Sequence, residues 1–183
     1  MNGNFPKIMK AIAAVTALAT AVLAIAYHFA PNGWVLSAAI TSGTTFYHFA
    51  MRLIVGTIVP YCVKNPMQRR WFQQKTFEAE LYRKLKVKQW KDHMPTYDPA
   101  SFSLRDNPLE QIVYNSCVSE AVHAVIVLFS FVPLFFALFW GALPVFLITS
   151  VLSAAFDCCF IIMQRYNRPR LLRILTKKEA KVL

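Results

Sequence analysis

Four long apolar stretches dominate the chain. Residues 8–30 carry no charge beyond Lys10 at their start, and residues 34–59 are apolar apart from scattered hydroxyls and the pair His48 and Arg52. Residues 112–140 contain Glu120 and His123, and residues 144–163 are apolar except for Asp157. A hydrocarbon core needs roughly 20 apolar residues in helical form to cross it. The pattern therefore predicts an all-α, polytopic membrane protein with about four transmembrane helices. Pro31-Asn32-Gly33 breaks the first stretch from the second, and Gly141-Ala142-Leu143-Pro144 separates the last two. Between the second and third lies a polar segment, 60–111. In it Phe77, Leu81 and Leu85 recur at four-residue steps, with Trp71 and Phe72 ahead of them. That spacing predicts a helix over 68–86, lying in the membrane interface. Pro95, Pro99 and Pro108 mark an irregular return to the third span. The expected organisation is one membrane domain over 1–183, with a basic tail at 164–183.

Charge orients these elements. The chain is 56% hydrophobic, yet its net charge is +11. Lys7 and Lys10 flank the start of the first span, and every other Lys or Arg except Arg52 lies in 60–111 or 164–183. The turns at 31–33 and 141–143 have none. The positive-inside rule places both termini and the central segment in the cytoplasm of a multi-pass cell-membrane protein. The first span also resembles a cleavable leader, with Lys7, Lys10 and Ala24-Ile25-Ala26, but its apolar run continues to Ala30, and a retained helix is expected. Cys62, Cys117, Cys158 and Cys159 show no metal-binding spacing and no disulfide framework. No metal or cofactor is expected.

Ionisable groups inside a bilayer are costly and point to function. Glu120 and His123 stand three apart, on one helical face. A carboxylate beside an imidazole prepares it to take a proton from a substrate hydroxyl; a structural polar pair is the alternative. His48 and Arg52 share a face of the second span, where Arg52 has three options: to pair with Glu120, to hold an anionic substrate, or to snorkel. Asp157 is a candidate partner for an arginine. After the last span comes Gln164-Arg165-Tyr166-Asn167-Arg168-Pro169-Arg170, whose guanidiniums suit phosphates. Lys88 and Trp90, in Lys86-Val87-Lys88-Gln89-Trp90-Lys91, suit either anionic headgroups or a soluble, phosphate-bearing donor. Charges held against a bilayer do not suit nucleic acid. No Gly-rich phosphate loop, GxSxG elbow or HExxH motif is present, and His48 is followed four residues later by Arg52 rather than Asp.

Four places give a resemblance: Trp71, Glu78 and Tyr82; Val87-Lys88-Gln89-Trp90-Lys91-Asp92; Glu120 with His123; and Gln164-Arg165-Tyr166-Asn167-Arg168-Pro169-Arg170-Leu171 leading into Arg173-Ile174-Leu175. Over roughly 68–180 the chain resembles the glycosyl-4,4'-diaponeurosporenoate acyltransferase family, known for the last step of staphyloxanthin biosynthesis. The resemblance implies acyl transfer from a cytoplasmic thioester, acyl-CoA or acyl carrier protein, to a hydroxyl of a lipid-linked glycoside among the membrane lipids. It implies His123 as general base, Glu120 as its orienting group, and Arg165, Asn167 and Arg168 on donor phosphates or the oxyanion. Gln164, Tyr166, Arg52, His48, Lys88 and Trp90 complete the expected binding set. Two other classes stay open at this point: a small intramembrane methyltransferase or reductase, and a non-catalytic lipid-binding protein.

Overall fold

The computed structural model describes residues 5–180, so Lys181 of the basic tail lies outside the described residues. Helices α1 (Phe5–Phe29), α2 (Gly33–Cys62), α3 (Glu78–Lys84), α4 (Val87–Trp90), α5 (Leu109–Phe129), α6 (Ala137–Trp140) and α7 (Leu143–Glu179) follow in order, and no strand occurs among the described residues. Among the described residues three stretches are long and apolar enough to cross a membrane: Phe5–Phe29, Leu109–Trp140 and Leu143–Lys178. The fourth expected stretch forms the 30-residue helix α2. Its Thr, Ser, His48 and Arg52 dilute the apolar run.

Local chemistry sets the breaks. Asn32 begins α2 by accepting the Trp34 N–H on its side-chain oxygen at 2.8 Å. Gly141 and Ala142 both have positive φ, +66° and +50°, which stops α6 and re-aims the chain into α7. In α5 the Phe129 carbonyl would accept from residue 133, but that residue is Pro133 and has no N–H. The Tyr47 hydroxyl donates to this carbonyl instead, at 2.9 Å. The chain then continues through a 3-10 turn, Val132–Phe136.

The predicted helix over 68–86 is not continuous. Pro66–Gln68 and Arg70–Phe72 are single 3-10 turns, and only Glu78–Lys84 is α-helical before Lys86 turns at φ +50°. The carbonyls of Trp71, Phe72 and Gln73 accept from arginines of α7. They are thereby withdrawn from the helical ladder that would have joined the two halves.

The described chain groups into two compact units. One comprises 5–57 and 125–157, and the other 58–124 and 158–180. The first is built inside out relative to a water-soluble core. Val15, Leu18, Val22, Leu138, Leu152 and other large apolar side chains are exposed, whereas Thr44, His48, Ser130, Ser150, Ser153 and Asp157 are buried. That arrangement meets the demand of a hydrocarbon solvent, in which polar groups must find partners inside. Small residues bring α1 and α2 together. Thr20 donates to Ser42 at 3.1 Å, Ser42 donates to the Thr16 carbonyl at 2.9 Å, and a Cβ on Gly43 would sit 3.4 Å from the Thr20 methyl. Gly43→Leu should therefore force the two helices apart and cost about 1–3 kcal/mol, read as a lower thermal midpoint in detergent, while Gly43→Ala stays close to the parent.

Candidate functional site

The candidate site grows from one carboxylate. Glu120, on α5, has no exposed surface. An uncompensated charge in that position would cost several kcal/mol. Two arginines one turn apart on α7 answer it. Arg165 Nη1 donates to Glu120 Oε1 at 2.6 Å, and Arg168 Nη2 lies 2.6 Å from Oε2. The second contact is off the hydrogen-bonding direction, so it is Coulombic, and Arg168 Nη2 donates to the Ser116 carbonyl at 3.0 Å.

Arg165 is fully engaged. Its Nε donates to Glu78 Oε1 at 2.9 Å, Nη1 to the Trp71 carbonyl at 2.9 Å, and Nη2 to the Gln73 carbonyl at 3.1 Å and again to Glu78. With the Glu120 bond, all five N–H donors of this guanidinium have protein acceptors. Arg168 Nη1 donates to the Phe72 carbonyl at 3.0 Å, its guanidinium lies over the Phe72 ring, and its Nε is buried without a hydrogen-bond partner among the described residues. Two carboxylates and two guanidiniums thus form a charge-balanced, nearly dry network. Glu78 completes it by accepting the Tyr82 hydroxyl on Oε2 at 2.9 Å. Burial, and then the neighbouring Glu78, push the Tyr82 phenol above its ordinary value.

The geometry changes several expectations. Glu120 and His123 share a face of α5 as predicted, but both Glu120 oxygens serve arginines. The His123 ring stacks on Phe160, centroids 4.4 Å apart and 5° from parallel. Arg165 was expected to grip a donor phosphate, and its donors are spent on protein acceptors instead. Arg52 pairs with Asp157 rather than Glu120. It also donates to the Ser153 hydroxyl at 2.8 Å and the His48 carbonyl at 2.9 Å. The His48 ring is buried, with neither nitrogen hydrogen-bonded among the described residues.

Gln164 is buried and Asn167 half-buried. Tyr166 meets Tyr82 edge to face at 5.5 Å and carries the Arg170 guanidinium over its ring at 4.3 Å. Lys88 is exposed, and Trp90 donates from its indole to the Leu85 carbonyl at 3.0 Å. Glu78 is the member that the sequence search for a site passed over. It sits outside any apolar stretch, and an acidic residue opening a short helix looks like an ordinary first-turn charge.

Glu120→Gln removes the shared counter-charge and should destabilise the protein by about 3–5 kcal/mol, seen as a large drop in thermal midpoint. Tyr82 makes a second, pH-dependent contribution. Its folded pKa is raised, so its stabilising effect is complete below the unfolded value of about 10 and is lost as pH climbs through the folded value. Stability should therefore fall more steeply above about pH 10 in the parent than in Tyr82→Phe.

No curated protein sequence and no solved structure matches the chain. The sequence model of the glycosyl-4,4'-diaponeurosporenoate acyltransferase family matches residues 68–177, more than half of the chain. That range contains Glu78, Glu120, His123, Arg165 and Arg168. The chain belongs to this family of acyltransferases.

Proposed function

We propose that the protein moves a fatty acyl group from a cytoplasmic thioester, acyl-CoA or acyl carrier protein, to a hydroxyl of a membrane-embedded glycoside. The family's named substrate makes a glycosylated carotenoid acid the first acceptor to try. One observation carries this reading: the family match spans the residues of the buried ion network and, one turn along α5, His123.

The chemistry needs one base and one stabilised oxyanion. Neutral His123 takes the proton of the acceptor hydroxyl as its oxygen bonds to the thioester carbonyl carbon. The carbonyl π electrons move onto oxygen, where the Asn167 amide is assigned as donor. Collapse breaks the C–S bond, and the thiolate leaves with the proton returned by the imidazolium. An ester and a free thiol result, and electrons balance without an oxidant. Glu120 acts as a positioning residue. Its ties to Arg165 and Arg168 fix α5 against α7 and so set where His123 stands.

The reading includes a topology. The helix α2 serves as a fourth span, its Arg52 made tolerable in lipid by Asp157. Both termini and 60–111 face the cytoplasm of the cell membrane, where the basic residues gather. Trp71, Phe77, Leu81 and Leu85, all exposed, rest at the headgroup boundary.

Lipid mass spectrometry of cells with and without the protein should reveal a glycoside that gains the mass of one acyl chain. His123→Ala should reduce that product by roughly 100-fold or more while the variant still accumulates in membranes. An unchanged product level in such membranes would remove His123 from the chemistry.

A further inference from the structure

An open cleft of about 480 Å³ lies beside the ion network, in the same unit of the chain. Arg83, Lys86, Lys88, Arg170 and Arg173 line it, together with Tyr82 and Tyr166, and no carboxylate of the described residues does. Five cations around one concavity, without an acidic partner in its wall, repel one another unless an anion joins them. Of the two acids on α3, Glu78 is taken up by Arg165 and Tyr82, and Glu80 lies 2.9 Å from Lys84 and 4.0 Å from Arg83, so Arg83 has a loose acidic neighbour outside the cleft wall.

One of the cations is held in place, and another stands at a strained turn. Arg170 lies over the Tyr166 ring and donates to its hydroxyl at 2.6 Å, so its guanidinium is ordered before any ligand arrives. Lys86 takes the left-handed conformation, φ +50°, a strained choice for a residue with a side chain. A second cleft of about 240 Å³ shares Gln74, Pro169 and Arg173 with the first and is also lined by Glu78, Arg165 and Arg168.

From this arrangement we infer that the first cleft binds the multiply phosphorylated nucleotide head of a small-molecule thioester donor, and that the donor's arm passes Arg173 into the second cleft toward the buried ion network. The inference rests on the acyl-transfer reading and narrows it. A cavity of this size matches a small ligand and is too small to enclose a carrier protein's helix. It also explains why the arginines of α7 divide their labour. Arg165 and Arg168 turn inward to hold carboxylates and carbonyls, while Arg170 and Arg173 remain available for phosphate.

Calorimetry on the full chain in zwitterionic nanodiscs tests the site directly. Adenosine 3',5'-bisphosphate should bind, with affinity falling as salt rises, and adenosine should bind at least about tenfold more weakly. The double variant Lys88→Gln with Arg173→Gln should weaken the bisphosphate at least about tenfold, whereas Lys177→Gln, a basic residue outside the cleft, should not. The inference is overturned if the bisphosphate does not bind, if the double variant binds it like the parent, or if anionic lipid in ordinary membrane proportion displaces it. It is equally overturned if holo acyl carrier protein binds and the bisphosphate does not compete. Acyl transfer is then measured separately. Transfer from a carrier protein without nucleotide binding would refute the cleft assignment and keep the acyl-transfer reading. Nucleotide binding without any transfer would do the reverse.

Discussion

Glu120 has no exposed surface, and everything around it follows from the need to neutralise that charge. One arginine would balance it, and the structure uses two, spaced three residues apart so that both reach the same carboxylate. The second positive charge then needs its own anion, which brings in Glu78 from a segment more than eighty residues away in sequence. Guanidiniums also carry more donors than carboxylates can accept. The surplus goes to backbone carbonyls of Trp71, Phe72 and Gln73, so an electrostatic problem inside one helix determines the path of a loop.

The same logic separates two kinds of basic residue. Those of the buried network are structural cations with neighbours on every side, while those around the open cleft face solvent, and no carboxylate of the described residues lines that cleft. A buried network that is complete rigidifies its surroundings, and one missing a member is unstable. A binding site needs charges that are still available. Helix α7 supplies both kinds within nine residues, from Arg165 to Arg173, by presenting them on different faces.

Apolar runs and the proline and glycine breaks revealed the long helices, because hydrophobic length and missing N–H groups act locally. Asp157 as an arginine's partner was also legible, since an isolated acid in an apolar span must find a cation. The partner's identity was not. Arg52 had two acids within reach by depth, and only packing chooses between them. The helix over 68–86 failed for a different reason. Its apolar spacing is real, but the spacing carries no record that α7 arginines would claim three successive carbonyls. Glu78 was hidden for the same cause, as its importance comes entirely from residues far along the chain.

Those long-range bonds impose an order of assembly. Residues 71–73 receive their donors from positions 165 and 168, so this part of the chain must wait, after leaving the ribosome, until α7 has been made. Until α7 arrives, Glu78 and Glu120 lack these countercharges, and α5 carries an acid without its arginines. Arrival of α7 is then the event that locks α5, which couples placement of the later helix to completion of the polar network.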